Sequence, residues 1–108
     1  MNAAIALQRL NGNAALLATL AGFFLEDAPQ LLEDLHEGLR KNSPRQVTQS
    51  AHRLRGLSSS FEATRVMELT SEIESLSGSD AVARMEELTR QLDDEFARLI
   101  ETLQKLTQ

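Results

Sequence analysis

At 108 residues, 42% of them hydrophobic and 25% charged, the chain suffices for one folded domain and is too short for two. It has no cysteine, which excludes disulfide frameworks, thiolate zinc sites and thiol nucleophiles. A formal net charge of −5 argues against a nucleic-acid partner held through its phosphates.

The charge is unevenly placed. Between Gly38 and Phe61 there is no acidic residue, while Arg40, Lys41, Arg45, Arg53 and Arg55 all fall there with His52. A basic island in an acidic chain is where an anion or an acidic partner would be drawn. The longest apolar run, Ala14 to Leu25, is broken by Thr19 and Gly22 and is shorter than the roughly 20 residues of a membrane span. No cationic start leads into an apolar run with a cleavage pattern, so no signal peptide is read and a cytoplasmic location without membrane insertion is expected.

Apolar residues recur at three and four positions with no sustained alternation, which predicts an all-α fold. A short first helix is expected over Ala3 to Leu10, ended by Asn11-Gly12-Asn13. The second runs from Ala14 to Lys41, with Leu17, Leu20, Phe24, Ala28, Leu31, Leu35 and Leu39 as its core stripe and a kink or local irregularity expected at Pro29. Leu16 and Phe23 fall beside that stripe, either under the first helix or open to a partner.

Ser43-Pro44-Arg45-Gln46 starts the third helix: Ser caps, Pro suits the first turn, and Gln can reach back to the cap. Its core positions are Val47, Ala51, Leu54, Ser58 and Phe61, with an end near Ser60. A fourth helix covers Ala63 to Leu76 with Val66, Leu69, Ile73 and Leu76 inward. After a turn at Ser77-Gly78-Ser79-Asp80, the last helix spans Asp80 to Leu106 with Val82, Met85, Leu88, Leu92, Phe96, Leu99, Leu103 and Leu106 inward. Stripes of this kind joined by short loops bury one another best as an antiparallel four-helix bundle with a short additional N-terminal helix, one domain over 1–108.

At about 100° per residue, His52 points roughly 160° from the third helix's core direction and so faces water. Arg45, Thr48, Gly56 and Ser59 lie within about 40° of it on the same wheel, and Arg55 within about 60°. Gly56 sits in a helix interior, where it costs about 0.5–1 kcal/mol relative to alanine. Clearance for an approaching group is the simplest reason for it. Arg55 could hold a phosphoryl oxygen on the imidazole.

The segment Ala51-His52-Arg53-Leu54-Arg55-Gly56-Leu57-Ser58-Ser59-Ser60-Phe61-Glu62-Ala63 resembles the signature of the histidine phosphotransfer (HPt) family: His, an apolar residue, a base and Gly, then small residues and Gly-Ala. Phe23 to Leu35 is similar to that family's second helix. The resemblance implies that His52 accepts a phosphoryl group from one receiver-domain aspartate and passes it to another, in a phosphorelay protein that is free-standing or part of a hybrid sensor histidine kinase. Attack needs the neutral imidazole, and in-line transfer needs mainly alignment and charge neutralisation. The resemblance also implies that receivers supply Mg²⁺, that this chain needs no cofactor or metal of its own, that it has no independent catalytic activity, and that it is a monomer. Arg55 stands for the family's usual Lys, Gly56 for its clearance residue, and Glu74 for a polar residue that approaches the site from the fourth helix. Two departures are Arg for Lys at 55, which changes donor geometry, and Glu62 for the usual Gly, which can shift the next turn.

The rival reading is a non-phosphorylated helical module that binds or inhibits a receiver or another helical protein. His36 has no comparable context and is expected at the surface or boundary, and Asp93-Asp94-Glu95 reads as a solvated face. Two histidines sixteen positions apart without a nearby Cys make a metal site improbable, and Ser58 to Ser60 lack the base a nucleophile needs. Leu57 reads equally as boundary core or docking surface.

Overall fold

Asn2 and Asn13 open the first two helices in the same way. The Asn2 side chain accepts from the Ile5 amide at 3.1 Å and the Asn13 side chain from the Leu16 amide at 2.9 Å, so each satisfies an orphan donor of the first turn. The computed structural model describes residues 1–107, with α1 at Ala3–Arg9, α2 at Ala14–Arg40, α3 at Pro44–Ser58, α4 at Thr64–Glu74 and α5 at Ala81–Leu106. There is no strand among them. Asn11 and Gly12 adopt left-handed backbone between α1 and α2, as their turn chemistry predicts.

α2 packs on α3 and α5, α3 on α4, and α4 on α5, which closes a ring of four helices, while α1 lies against α2 and the turn that follows α3. Phe24 of α2 is at the centre, edge-on to Phe61 with ring centroids 5.5 Å apart and 5.8 Å from Phe96 of α5. α2 runs unbroken through Pro29, which is exposed. Extended to Arg40, α2 is also long and apolar enough to cross a membrane, with an 18-residue window of mean hydropathy 1.2. Here its apolar stripe is spent on α3 and α5.

Several inward positions differ from expectation. Leu20, Leu31 and Leu39 are half-buried, and the fully covered places between them belong to Ala21 and Gly38. At Gly38 a Cβ would lie 2.9 Å from Val47 Cγ2, so the close crossing of α2 and α3 before their turn needs a glycine. In α5 the stripe is turned by one residue at its start: Ala81 is buried and Val82 half-buried.

Ser43 caps α3 through the Gln46 amide at 3.3 Å. Gln46 does not reach back to the cap; its Nε2 donates to the Asp34 carbonyl at 2.9 Å, while the Ser43 amide is satisfied by Gly38 at 2.8 Å. The α2 end has captured both groups. α3 ends at Ser58, and Ser59–Phe61 continues as a single 3-10 turn.

Glu62 closes that turn at φ 50°, the left-handed conformation in which a glycine would be at ease. Strain of about 1–2 kcal/mol for an L-residue is set against the entropy a glycine would lose, about 0.5–1 kcal/mol, and the Arg9–Glu62 ion pair, exposed enough to contribute about 0.2–1 kcal/mol. The terms nearly cancel. Glu62→Gly should therefore change stability by less than about 0.5 kcal/mol in urea unfolding, and a gain above about 1.5 kcal/mol would show that the ion pair contributes nothing and the strain is fully felt.

Candidate functional site

α3 carries its apolar residues on one face, with Val47, Ala51 and Leu54 fully buried against the bundle. One residue after Ala51, the His52 side chain is therefore turned outward and is 67% exposed. α4 runs alongside and places Glu74, its last residue, against the imidazole. Glu74 Oε1 lies 2.7 Å from His52 Nδ1.

A carboxylate only accepts, so this contact requires the proton on Nδ1, which in the neutral ring leaves the lone pair on Nε2. Arg55 Nη2 is 3.2 Å from the same Nδ1. One nitrogen cannot donate to Glu74 and accept from Arg55 together, and the shorter, charged contact to the acid prevails. Arg55 is itself drawn to Glu74: its Nε stands 2.7 Å from Oε2, with the N–H directed off the acceptor so that neither atom gains a directed hydrogen bond. Its Nη2 is 3.5 Å from Oε1. Glu74 is thus the hinge of the group, with the ring on one oxygen and the guanidinium on the other.

Thr48, Gln49, His52, Arg53 and Glu74 line one shallow depression. Thr48 is turned aside at its hydroxyl, which donates to the Arg45 carbonyl at 3.1 Å. Gly56 is exposed, and a Cβ there would meet nothing within 4 Å. It opens instead onto a groove between α2 and α3 lined by Glu26, Asp27, Gln30, Leu31, Arg53 and Leu57.

The structure therefore brings His52, Arg55, Glu74 and Thr48 together and leaves Gly56 open beside them. It does not bring Arg45 or Ser59 to the imidazole. Arg45 lines an adjoining polar depression with Asp34, Ser43 and Arg53, which His52 does not line, and the Ser59 hydroxyl donates to the Gly56 carbonyl at 2.8 Å. Each is seven residues from His52, about 10 Å along a helix. Gln49 was not singled out by sequence, although three residues before His52 it stands as far round the helix as Arg55 does on the other side.

His36 is half-buried, with Nε2 2.8 Å from Asp93 Oδ1 across α2 and α5, and Glu95 Oε1 lies 2.7 Å from Arg98 Nη1, so two members of the acidic run are paired and not merely solvated. Leu57 is half-buried in the α2–α3 groove. Among the described residues no group of three or more His, Asp or Glu side chains is placed to hold a metal ion.

Because a Cβ at Gly56 meets nothing, Gly56→Ala should raise stability by about 0.5–1 kcal/mol in urea unfolding, and destabilisation would mean that the position is not open in solution. Gly22, also in a helix with nothing within 4 Å of a Cβ, is the control.

Residues 19–105 match the family model described as Hpt domain. No curated protein and no solved structure matches the chain.

Proposed function

The chain belongs to the Hpt domain family, histidine phosphotransfer modules of phosphorelays that interact with receiver domains, and on that premise we propose that His52 is the residue phosphorylated. It relays a phosphoryl group between receiver aspartates in a two-component pathway, free-standing or within a hybrid sensor histidine kinase. The ring of α2 to α5 is read as the family's antiparallel four-helix bundle, with the short connections supporting that layout.

One observation carries the reading: an exposed imidazole whose Nδ1 is held by Glu74, so that its nucleophilic lone pair is on Nε2. That atom attacks the phosphorus of an aspartyl phosphate in line with the leaving carboxylate. The N–P bond forms, the P–O bond breaks, and its electron pair leaves on the receiver's aspartate. The Nδ1 proton stays where it was, and the ring gains the positive charge that Glu74 offsets. Mg²⁺, which neutralises the acyl phosphate, comes with the receiver. Gly56 leaves room for the receiver's backbone, so Gly56→Gln should fold and transfer slowly, and equal rates would refute the clearance role.

The test is incubation with a panel of receivers phosphorylated in advance. Wild-type protein should acquire acid-labile phosphate and His52→Gln should acquire none. Label on the variant would sink the proposal, and binding without transfer from any receiver would favour the inhibitory module.

A further inference from the structure

Six of the nine arginines have a carboxylate within ion-pair distance: Arg9, Arg40, Arg55, Arg65, Arg84 and Arg98. Arg45, Arg53 and Arg90 have none among the described residues. Arg53 alone of these three lines the depression that holds His52. It also lines the groove that Gly56 opens onto, and so borders both the imidazole's depression and the clearance position's groove. Glu26 and Asp27 line that groove too, without an ion pair to Arg53.

Arg55 is in a different electrostatic position. Its charge is set against Glu74, and its Nη2 approaches His52 from the Nδ1 side. A phosphoryl group arriving at Nε2 comes to the other side of the ring. There it brings about two negative charges, which a guanidinium can meet with two parallel N–H bonds.

From this division we infer that Arg53, not Arg55, is the catalytic residue that contacts the phosphoryl oxygens during transfer. The inference rests on His52 being the acceptor. The bonds made and broken are those given above; Arg53 keeps its protons and contributes only hydrogen bonds to the transferring group, while Arg55 is a positioning residue that acts through Glu74.

The experiment measures uptake at saturating phosphorylated receiver for wild type, Arg53→Ala, Arg53→Lys and Arg55→Ala. It is repeated with phosphoramidate, a donor too small to reach a docking surface, whose P–N bond breaks with loss of ammonia. Arg53→Ala should lose about ten-fold or more with both donors, the size of one charged hydrogen bond. Arg53→Lys should recover most of that, and Arg55→Ala should lose less than about three-fold, since Glu74 still accepts from Nδ1. Thermal melts should coincide, because Arg53 is exposed.

Wild-type rates in Arg53→Ala would overturn the inference. So would a loss confined to the half-saturating receiver concentration and absent with phosphoramidate, which would put Arg53 on a docking rim. Failure of wild-type protein to accept phosphoryl from either donor would instead bring down the parent reading, and this inference with it.

Discussion

Glu74→Ala is expected to slow phosphoryl uptake by His52 by about one to two orders of magnitude, the usual effect of removing the group that orients a functional histidine, while leaving the helices folded. Two consequences add. The ring loses the acceptor that keeps the proton on Nδ1, and Arg55, released from its ion pair with Nη2 already 3.2 Å from Nδ1, becomes a donor to that atom. Donation to Nδ1 favours the tautomer with its proton on Nε2, which cannot attack.

It follows that removing Arg55 as well should recover part of the loss, so Glu74→Ala with Arg55→Ala should react faster than Glu74→Ala alone. Such a coupling is what a double-mutant cycle measures. Glu74→Gln should fall between, because its amide oxygen can still accept from Nδ1 but carries no charge to offset the imidazolium. Stopped-flow or quench-flow uptake from one phosphorylated receiver decides it, and wild-type rates in Glu74→Ala would remove Glu74 from the site.

Phe24→Ala should cost about 3–5 kcal/mol of stability, a large part of the roughly 5–15 kcal/mol typical of a domain. Phe24 is 1% exposed and packs its ring against Phe61 and Phe96. It therefore joins α2, the turn after α3 and α5. Phe23, the next residue back, is 56% exposed, and Phe23→Ala should stay within about 0.5 kcal/mol. Urea titrations of the two variants test this pair. A loss below about 1 kcal/mol in Phe24→Ala would mean that the three rings do not hold the elements together.

The helices were legible because their stripes and caps are local. Leu17, Phe24, Ala28 and Leu35 repeat at helical spacing, Ser43 carries a capping oxygen, and all are found where the pattern puts them. What the pattern could not supply is how far neighbours reach. Leu31 and Leu39 satisfy the same spacing as Leu35 and remain half-covered, because the position of α3 and α5 around α2 decides where the stripe ends. Gln46 illustrates the same limit at a cap: its expected partner, the Ser43 backbone, is three residues away, but the Asp34 carbonyl came within 2.9 Å through the α2–α3 turn.

In the site, a helical wheel suffices to turn His52 outward, since only one helix is involved. It ranks Arg45 and Ser59 beside His52 because it ignores rise along the axis, and about 10 Å separates each of them from the imidazole. The Glu74 contact spans 22 residues and the Asp93 contact of His36 spans 57, so neither is encoded in local spacing. Glu74 entered the sequence reading only through family resemblance. That Arg55 pairs with Glu74 and Arg53 does not is a matter of side-chain geometry alone.

The most direct measurement is ¹H–¹⁵N correlation of the imidazoles in protein carrying ¹⁵N-labelled histidine, before and after phosphorylation by a receiver. The account predicts a phosphoryl group on Nε2 of His52, a proton retained on Nδ1, and an unchanged His36. A phosphoryl group on Nδ1 of His52, or on His36, would contradict it.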